Sequence, residues 1–414
     1  MSKPVAVVVV GAGPAGMAAA VRARESGARV TLIDDNDGAG GQIWRGSSDS
    51  VWFEHLRSAR VERLAGAQVI QGDLRARTLL VEQGYRALEV AFDKLILATG
   101  AREIFLPFPG WTLPGVFGAG GLQALAKSGW PIRGKRIVVA GTGPLLLAVA
   151  AYLRRHGAKV TLLAEQAERS AVMRFGFGLV RRREKLAQAI GLQFALTGMT
   201  KRYGCWVEAA EGDGKLERLR IRQGKKIRME KCDFAAVAYG LCPNVELASF
   251  LGCQMNGQAI AVDEFQRSSV PDVFCAGECT GIGGVDLSLI EGEIAGYAAC
   301  GALDKARSLF AERSAADDFA DALHTTFALR PELKELPKPE TLVCRCEDVS
   351  FARMHSYSSF RAAKLHTRCG MGPCQGRICG PAAHFLFGWD TTSFRPPILA
   401  ARIGTLLQES RTTK

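Results

Sequence analysis

Two groups of residues in this chain have the types and spacing for cofactor chemistry, and the first lies near its beginning. Gly11, Gly13 and Gly16 form a G-x-G-x-x-G pattern directly after a short apolar run, and Asp34 follows a second apolar run. In a strand–turn–helix–strand unit, such glycines tighten the turn and admit a pyrophosphate to the helix start, while the acid binds a ribose. The pattern therefore predicts a dinucleotide site over residues 5–35.

The second group consists of five of the chain's twelve cysteines, which crowd near its end. Cys344 and Cys346 form C-x-C, Cys369 and Cys374 form C-x4-C, and Cys379 follows as a fifth thiol. Two close pairs of thiolates are typical of an iron–sulfur cluster, whereas structural zinc usually takes C-x2–4-C at both ends. We therefore predict a [2Fe-2S] cluster on Cys344, Cys346, Cys369 and Cys374, with Cys379 as the alternative to Cys374. A structural zinc ion and a set of buried free thiols are the competing interpretations.

A second strand–turn–helix–strand unit is predicted over residues 135–165. It carries Gly141 and Gly143 and ends on Glu165, but Leu146 occupies the third glycine position. A leucine there would push the helix away from the strand or crowd a pyrophosphate. Three interpretations of this unit stay open: a nicotinamide site, a site for another nucleotide and a vestigial site.

Two further apolar strands end in sequences that suit a nucleotide. The segment KLILATGAR closes on Thr99 and Gly100, and the segment VFCAGECTGIGG contains Gly277 and Glu278 before a predicted helix. Glycine at such a strand end lets the backbone pass close to a bound nucleotide. The start of the following helix would favour negative charge on the ring of a bound cofactor when that ring is reduced. A glycine-rich loop over residues 38–45 offers further backbone to an extended cofactor.

Composition limits the classes of function. At 414 residues and 48% hydrophobic content, the chain can bury two or three cores. Its net charge of +12 is spread along the sequence, and the densest basic runs, at 181–185 and 225–228, are short and lack interleaved aromatic residues. These runs favour a solvated face or a subunit contact over a nucleic-acid site. No window supplies about 20 uninterrupted apolar residues, so no transmembrane helix is expected.

The positions of the cysteines argue against thiol–disulfide chemistry and indicate a reducing environment. No cysteine precedes Cys205 and C-x-x-C occurs nowhere in the sequence, so thiol–disulfide exchange is not expected as the main activity. A secreted disulfide framework belongs to small chains with a signal peptide, so a reducing environment is expected. None of the six histidines lies in a recognisable catalytic constellation, and no catalytic residue is assigned.

The order of these motifs resembles that of the two-dinucleotide-binding-domain flavoproteins, the glutathione- and thioredoxin-reductase-like superfamily. The resemblance covers about residues 5–301 and implies an α/β fold with FAD in the first unit. The FAD-binding residues that it implies, with their neighbours in the same motifs, are Gly11, Gly13, Pro14, Ala15, Gly16, Asp34, Asp35, Gly41, Gln42, Thr99, Gly100, Gly277 and Glu278. A second nucleotide site would use Gly141, Gly143 and Glu165.

The resemblance also implies a division into domains. The predicted parts are a discontinuous FAD-binding domain (1–109 and 234–310), an NAD-type Rossmann insert (110–233), a linker or arm (311–340) and a cysteine-rich [2Fe-2S] domain with a tail (341–414). The last of these resembles the bacterioferritin-associated-ferredoxin type of [2Fe-2S] domain.

With both halves taken together, the chain is similar to the α-type subunits of heteromeric dye-linked amino-acid dehydrogenases. This family includes D-hydroxyproline dehydrogenase, opine oxidase and hydrogen cyanide synthase. The resemblance implies that a β-type FAD subunit oxidises the amino or imino acid, that a small [2Fe-2S] γ-type subunit joins, and that FMN sits between subunits. This chain would carry electrons to an acceptor other than oxygen, in the cytoplasm or peripherally at the inner membrane through the complex. D-Hydroxyproline is the favoured substrate.

Two other functions stay open. If the second unit binds pyridine nucleotide, the chain is a self-contained NAD(P)H-dependent FAD oxidoreductase, although Leu146 argues against this. A redox-sensing or scaffold subunit would use the cluster only as a structural element. Reduction of the flavin by NADH would support the first alternative, and a cysteine-to-serine variant that loses folding but no transfer step would support the second.

Overall fold

The computed structural model describes residues 3–46 and 49–412, with the side chains of Arg181 and residues 408–412 outside that description. The chain divides into two compact units. The first unit consists of Met1–Arg102, Cys242–Asp321 and Thr392–Lys414, and the second of Glu103–Leu241 and Ala322–Thr391.

This division differs from the predicted domains at the predicted arm and at the tail. The boundary between the units falls inside the predicted arm, and residues 392–412 belong to the first unit, whereas the prediction placed them in one domain with the cysteine-rich segment. The tail is held there by a hydrogen bond from the Ile398 N–H to the Ile70 carbonyl oxygen at 3.0 Å. The end of the predicted tail, residues 413–414, lies outside the described residues.

The elements of the structure follow in chain order. Residues 3–103 form β1 (Ala6–Val10), α1 (Pro14–Glu25), β2 (Arg29–Ile33), α2 (Val51–Ser58), β3 (Glu62–Leu64), β4 (Ala67–Asp73), β5 (Thr78–Gln83), β6 (Arg86–Ala91), β7 (Lys94–Leu97) and β8 (Ala101–Glu103). Residues 116–243 form β9 (Val116–Gly118), α3 (Ala119–Lys127), β10 (Arg136–Gly141), α4 (Leu145–Arg155), β11 (Lys159–Glu165), α5 (Arg169–Gly178), a 3-10 turn (Leu179–Arg181), α6 (Arg183–Ala195), β12 (Thr200–Tyr203), β13 (Cys205–Glu211), β14 (Arg218–Gln223), β15 (Lys226–Lys231), β16 (Phe234–Ala238) and β17 (Leu241–Pro243).

The remaining residues form α7 (Glu246–Phe250), β18 (Met255–Asn256), β19 (Ala259–Ile260), β20 (Val273–Cys275), α8 (Val285–Ala299), α9 (Leu303–Arg307), α10 (Phe310–Phe327), a 3-10 turn (Pro331–Glu335), β21 (Leu342–Cys344), β22 (Val349–Ser350), α11 (Phe351–His355), α12 (Phe360–Thr367), α13 (Cys379–Phe387) and α14 (Ile403–Thr412). Within the described ranges, no helix combines the length and the apolar content needed to cross a bilayer.

A parallel five-stranded sheet in the order β20-β7-β1-β2-β3 forms the centre of the first unit. Strand β1 is apolar along its length because both of its faces are covered. Val7 and Val9 pack toward helices α1 and α8, whereas Val8 and Val10 pack toward the antiparallel sheet β4-β5-β6. The sheet thus has a helical layer on one face and a second sheet on the other.

Helices α1 and α8 approach each other closely because small residues meet at their contact. A Cβ on Gly292 would lie 2.2 Å from the carbonyl oxygen of Ala15, and one on Gly296 would lie 2.4 Å from that of Ala19. Any larger side chain at these glycines would separate the helices. The contact therefore fixes α8 against the helix that follows the first glycine turn.

The second unit repeats this architecture. Its parallel sheet has the order β12-β11-β10-β16-β9, with helices α3 and α4 on one face and the antiparallel sheet β13-β14-β15 on the other. Polar and apolar residues alternate over 201–231 with glycine interruptions, which predicts antiparallel strands. That prediction is correct for β13–β15 and wrong for the first strand, β12. Because β12 follows a helical crossover, it returns parallel to β11 and extends the main sheet.

The cysteine-rich segment forms a small module within the second unit. The antiparallel pair β21–β22 and helices α11–α13 enclose a core that includes Val349, Met354 and Trp389. The module is anchored to the rest of its unit by the indole N–H of Trp111, which donates to the carbonyl oxygen of Leu342 at 2.6 Å.

Candidate cofactor sites

Four parallel strands of the first unit end at the same edge of their sheet, and residues predicted to bind FAD follow each of them. Strand β1 leads into Gly11, β2 into Asp34, β7 into Thr99 and β20 into Gly277. In parallel α/β sheets, ligands bind in the crevice beyond the carboxyl ends of the strands. The fold therefore gathers predicted residues that are far apart in the sequence.

The three glycines of the first turn are required for different reasons. A Cβ on Gly11, whose φ is +103°, would lie 2.1 Å from the carbonyl oxygen of Ala98, and a Cβ on Gly16 would lie 1.7 Å from that of Gly11. Gly13 has a φ of −72°, and a Cβ there would come no nearer than 4.0 Å to another atom, the Cα of Gly41. No packing contact in the described structure requires glycine at position 13, whereas a pyrophosphate against the backbone would require it.

The start of helix α1 also fits an anion. Pro14 is the first helical residue, and no described side chain caps the N-terminus or places an acid in the first turn. The first N–H groups of a helix have no partner within the helix, and together with the helix dipole they attract negative charge. Ala15 follows in this turn and lies against Gly277, where an added Cβ would come within 2.6 Å of the Ala15 side chain.

The acid after β2 is held by backbone N–H groups. Oδ2 of Asp34 accepts from the Ala12 N–H at 2.5 Å, and its Oδ1 accepts from the Asn36 N–H at 2.8 Å. The Asn36 side chain accepts in turn from Arg45 at 2.7 Å. A carboxylate has about four lone-pair sites, so Asp34 keeps capacity to accept from a ribose. Desolvation and the neighbouring Asp34 charge raise the pKa of Asp35.

The glycine-rich loop over residues 38–45 lies against the first turn, as its predicted role requires. The Gly40 N–H donates to the carbonyl oxygen of Ala12 at 2.7 Å. A Cβ on Gly41 would lie 3.0 Å from the Cα of Gly13. Gln42, by contrast, is exposed to solvent.

A polar network that the sequence analysis missed locks the turn after β7. The Thr99 hydroxyl donates to the Asn244 carbonyl oxygen at 2.6 Å, and the Asn244 side-chain amide donates to the Thr99 carbonyl oxygen at 2.9 Å. Arg102 donates to Oδ1 of Asn244 at 2.6 Å and pairs with the buried Glu246 at 2.8 Å. Open space surrounds Gly100 in this turn, which leaves room for a nucleotide.

A buried acid supports the loop after β20 and was also missed. Glu291, only 8% exposed, accepts from the Gly277 N–H at 2.7 Å and from the Thr280 hydroxyl at 3.0 Å. Burial raises the pKa of Glu291 to about 7. Oε1 of Glu278 accepts from the Gly284 N–H at 2.7 Å, so this predicted cofactor residue stabilises the entry into α8. The available sequence signal was a glutamate in a mainly apolar helix, although that helix also carries Asp286 and Glu293.

We expect Glu291 to make the first unit less stable as the pH rises toward neutrality. Its folded-state pKa of about 7 lies above the ordinary value of 4.5, so its contribution to stability is complete below pH 4.5 and is lost as the pH rises through 7. At 1.36 kcal/mol per pKa unit, the loss is about 3 kcal/mol. Denaturant unfolding of the wild type and of Glu291→Gln, from about pH 4.5 to above pH 7, measures this loss, because the variant cannot ionise at this position.

The control is Glu312→Gln, a change at an exposed acid on α10. Its stability should follow the wild-type pH dependence. If Glu291→Gln also parallels the wild type, the pKa of Glu291 is not raised in the folded protein.

The second unit contains a similar glycine turn, but the acid that follows it, Glu165, is buried. A Cβ on Gly141, whose φ is +132°, would lie 1.8 Å from the carbonyl oxygen of Ala238. Glu165 is buried, and its two carboxylate oxygens accept from the Gly143 N–H and the Ala167 N–H, each at 2.8 Å. Burial raises the pKa of Glu165 to about 7. The acid at the ribose position is therefore bonded to its own loops.

A segment of the predicted arm covers the same turn. The Thr142 hydroxyl donates to the Phe327 carbonyl oxygen at 3.1 Å, and the Gln166 amide donates to that of Ala328 at 2.8 Å. The Arg330 N–H donates back to the Gln166 side chain at 3.1 Å. Protein groups thus occupy hydrogen-bonding positions within the glycine turn and beside the acid, which weighs against a nicotinamide dinucleotide there.

Leu146 packs into the core between helix and sheet. It is fully buried in a cluster with Val139 of β10 and Val149 of α4. Helix α4 begins at Leu145, one residue later in its motif than α1 begins in the first unit. Of the two consequences predicted for a leucine at this position, the structure favours separation of helix and strand over crowding of a pyrophosphate.

Shortening this side chain is expected to destabilise the second unit without restoring a nucleotide site. Leu146→Ala should lower the free energy of unfolding by about 2–5 kcal/mol, because it leaves a cavity in a close-packed core. Binding of NADH should not appear, since Glu165 and Gln166 keep their protein partners. Leu145→Ala, at a half-buried neighbour, is the control and should cost less. A Leu146→Ala protein that is as stable as the wild type, or that binds NADH, would contradict this account.

The five C-terminal cysteines share one module but group differently from the sequence pairs. Cys344, Cys369 and Cys379 are buried with their sulfur atoms within 4.8 Å of one another, and Sγ of Cys346 lies 3.6 Å from Sγ of Cys374. Each sequence pair thus contributes one thiol to each group. Cys379, the predicted alternative to Cys374, lies beside Cys344 and Cys369 instead.

This arrangement fits a cluster with two metal ions. Two thiolates on one tetrahedral metal, with bonds of about 2.3 Å, lie roughly 3.7 Å apart, which matches Cys346 and Cys374. Two of the three buried thiols can serve a second metal. A structural zinc ion needs four ligands around one centre, and the buried group offers three. Hydrogen bonds among these buried thiols lower the pKa of Cys344 and raise the pKa of Cys369 and Cys379.

Glycines shape the loop around these sulfur atoms. A Cβ on Gly372 would lie 2.3 Å from Cβ of Cys346, so only glycine lets the two cysteine segments approach. Gly370, with a φ of +79°, directs its N–H to the Cys344 sulfur. Arg368, which directly precedes Cys369, pairs with Glu347 at 2.7 Å.

The fold and the first site define a class of flavin-dependent oxidoreductases. Residues 5–297 match the family model described as pyridine nucleotide-disulphide oxidoreductase, and the chain belongs to this family. The predicted α/β flavoprotein fold and the assignment as an oxidoreductase are thereby confirmed.

Some proteins are similar to this chain over nearly its whole length, and they indicate a smaller group within this class. Hydrogen cyanide synthase subunit HcnB of Pseudomonas protegens is 30% identical over 90% of this chain and 89% of that protein. One of the opine oxidase subunits of Rhizobium meliloti is 31% identical over 90% of each chain. The crystal structure of L-proline dehydrogenase from P. horikoshii shares the fold, with a TM-score of 0.69 and 19% identity over 98% of this chain and 79% of that one. The predicted resemblance to this group of dehydrogenase subunits is confirmed.

Proposed function

We propose that this chain is the FAD- and [2Fe-2S]-containing subunit of a heteromeric amino- or imino-acid dehydrogenase, with D-hydroxyproline as its favoured substrate. The observation that carries the proposal is a single chain that combines the nucleotide-type sheet edge of the first unit with the five-thiol module of the second. Two relatives of matching length are named as subunits of hydrogen cyanide synthase and opine oxidase, which supports a multi-subunit enzyme.

In this proposal the first unit holds FAD. Gly13 and the start of α1 bind the pyrophosphate, and Asp34 accepts from the adenosine ribose. The turns at Thr99 and Gly277 line the path of the extended cofactor. Glu291 fixes the second of these turns through its hydrogen bond to the Gly277 N–H.

The cysteine-rich module holds the iron in this proposal. Cys346 and Cys374 bind one iron, and two of Cys344, Cys369 and Cys379 bind the other. A flavin exchanges two electrons and a [2Fe-2S] centre one at a time, so the pair converts a two-electron oxidation into single-electron export. Burial of the inner thiols excludes water from that side of the centre.

The partner chains supply the oxidation chemistry in this proposal. A β-type FAD subunit oxidises the substrate, a small [2Fe-2S] γ-type subunit joins the complex, and FMN binds at a subunit interface. Electrons enter this chain from that partner, since Glu165 and Gln166 of the second unit already have protein partners. The complex works in the cytoplasm or peripherally at the inner membrane.

The test compares the isolated chain with the complex co-expressed from neighbouring genes, both purified without oxygen. We expect FAD, iron and acid-labile sulfide in both preparations. D-Hydroxyproline should bleach the flavin of the complex and leave that of the isolated chain oxidised. Oxidation of an amino acid by the isolated chain, or zinc in place of iron, would contradict the proposal. Rapid flavin bleaching by NADH would favour the self-contained NAD(P)H oxidoreductase instead.

A further inference from the structure

The segment between β11 and β12 exposes an unusual concentration of large apolar side chains. Met173, Phe177, Val180, Ile190 and Phe194 are between 46% and 76% exposed. Helices α5 and α6, which carry four of them, contain no buried residue among their described side chains. We call residues 169–195 the α5–α6 surface.

The exposed residues are spaced to form rows. Met173 and Phe177 are four residues apart on α5, and Ile190 and Phe194 are four residues apart on α6, so each pair lies on one face of its helix. Val180 lies in the turn that joins the helices. Each helix therefore presents a narrow apolar row to solvent.

The two helices have little of the packing that would normally stabilise them: Phe175 contacts Phe327 and Leu192 packs at the edge of a core cluster, but no described residue of either helix is buried. They are 10 and 13 residues long, and isolated helices below about 12–15 residues are marginal in water. Gly176 within α5 and Gly191 within α6 each cost roughly 0.5–1 kcal/mol relative to alanine. Since most helical stability in proteins comes from a packed apolar face, these helices need a partner surface.

Charge indicates what kind of partner fits. Arg169, Arg174 and Arg183 are exposed on the α5–α6 surface, and Glu184 is the single acid in the sequence of residues 169–195. A second copy of this chain would bring like charges together. A helix that binds a bilayer surface presents a broad apolar face, and the rows on α5 and α6 are only two residues each. Phenylalanine, methionine and isoleucine beside arginine are typical of the centre of a protein–protein interface.

We propose that the α5–α6 surface docks a partner subunit that presents an apolar pocket ringed by acidic side chains. Phe177 and Phe194 insert into that pocket, and the arginines pair with its rim. The inference rests on the proposed function only in requiring that a heteromeric complex forms. It assigns no substrate to that complex.

The experiment uses the native complex, purified with its stoichiometric partners through a tag on this chain. Hydrogen exchange compares residues 169–195 in the complex and in the isolated chain, and should show protection on assembly. Phe177→Ala and Phe194→Ala should each weaken assembly about tenfold or more, with a further loss at raised salt, while FAD content stays unchanged. Trp130→Ala is the matched control, because Trp130 is a large apolar residue of the same unit that is 47% exposed.

The outcomes separate this inference from the proposed function. A complex that leaves residues 169–195 unprotected, and that both variants still form, overturns the inference and leaves the function standing. A complex that protects them but oxidises no amino acid overturns the function and supports the surface. Self-association of the isolated chain through Phe177, or Phe177-dependent binding to vesicles of anionic phospholipid, replaces the partner subunit with another occupant. Absence of any complex overturns both.

Discussion

Gly13→Ala is expected to lose FAD while keeping its fold. Gly13 has an ordinary φ of −72°, and its added Cβ would stay 4.0 Å from the nearest protein atom, so alanine introduces neither strain nor a clash. A methyl group would, however, occupy the space through which a pyrophosphate approaches the start of α1. We expect the affinity for FAD to fall at least about tenfold, or about 1.4 kcal/mol, in a titration of the flavin-free protein.

Two further glycine variants separate cofactor loss from misfolding. Gly404→Ala, on helix α14 of the same unit with open space around it, should bind FAD like the wild type. Gly16→Ala should destabilise the first unit itself, because its Cβ would lie 1.7 Å from the carbonyl oxygen of Gly11. If Gly13→Ala binds FAD with wild-type affinity, the pyrophosphate does not lie at this turn and the first site is misassigned.

The parts of the fold that the sequence predicts are those set by neighbouring residues. Glycine spacing and apolar runs indicate both strand–turn–helix–strand units, because each unit folds from one continuous segment. The placement of the tail depends instead on Ile398 reaching Ile70, and neither residue is distinctive in its local sequence. The direction of β12 likewise follows from the crossover before it, since alternation of polar and apolar residues is the same in parallel and antiparallel edge strands.

The candidate sites show the same division between local and long-range information. Gly13 and Asp34 are predictable because the motif itself fixes their spacing. Arg102 and Glu291 act through partners brought close only by the folded chain, so no motif marks them. For the cysteines, spacing identifies the set, but the path of the loops decides that Cys346 meets Cys374.

Replacing Cys346 or Cys374 with serine is expected to abolish the iron–sulfur cluster. Their sulfur atoms are 3.6 Å apart, so they fit the two protein ligands of one iron, and a single remaining thiolate cannot hold it. Either variant should lose most of its iron and acid-labile sulfide, together with the paramagnetic signal of the reduced cluster, while retaining FAD. Metal analysis and spectroscopy of anaerobically purified protein measure both losses.

The buried thiols give this prediction a sharper second part. Three of them surround a position that needs two, so serine at one of Cys344, Cys369 and Cys379 should leave the cluster assembled, while serine at either of the other two removes it. Cys300→Ser, at a half-buried thiol of the first unit, controls for the loss of a cysteine as such and should retain full iron content. Zinc in the wild-type protein, or iron that survives serine at both Cys346 and Cys374, would contradict the cluster. These variants distinguish a [2Fe-2S] cluster from a single metal ion, because a two-iron centre depends on both groups of thiols, whereas a single-ion site depends on one group.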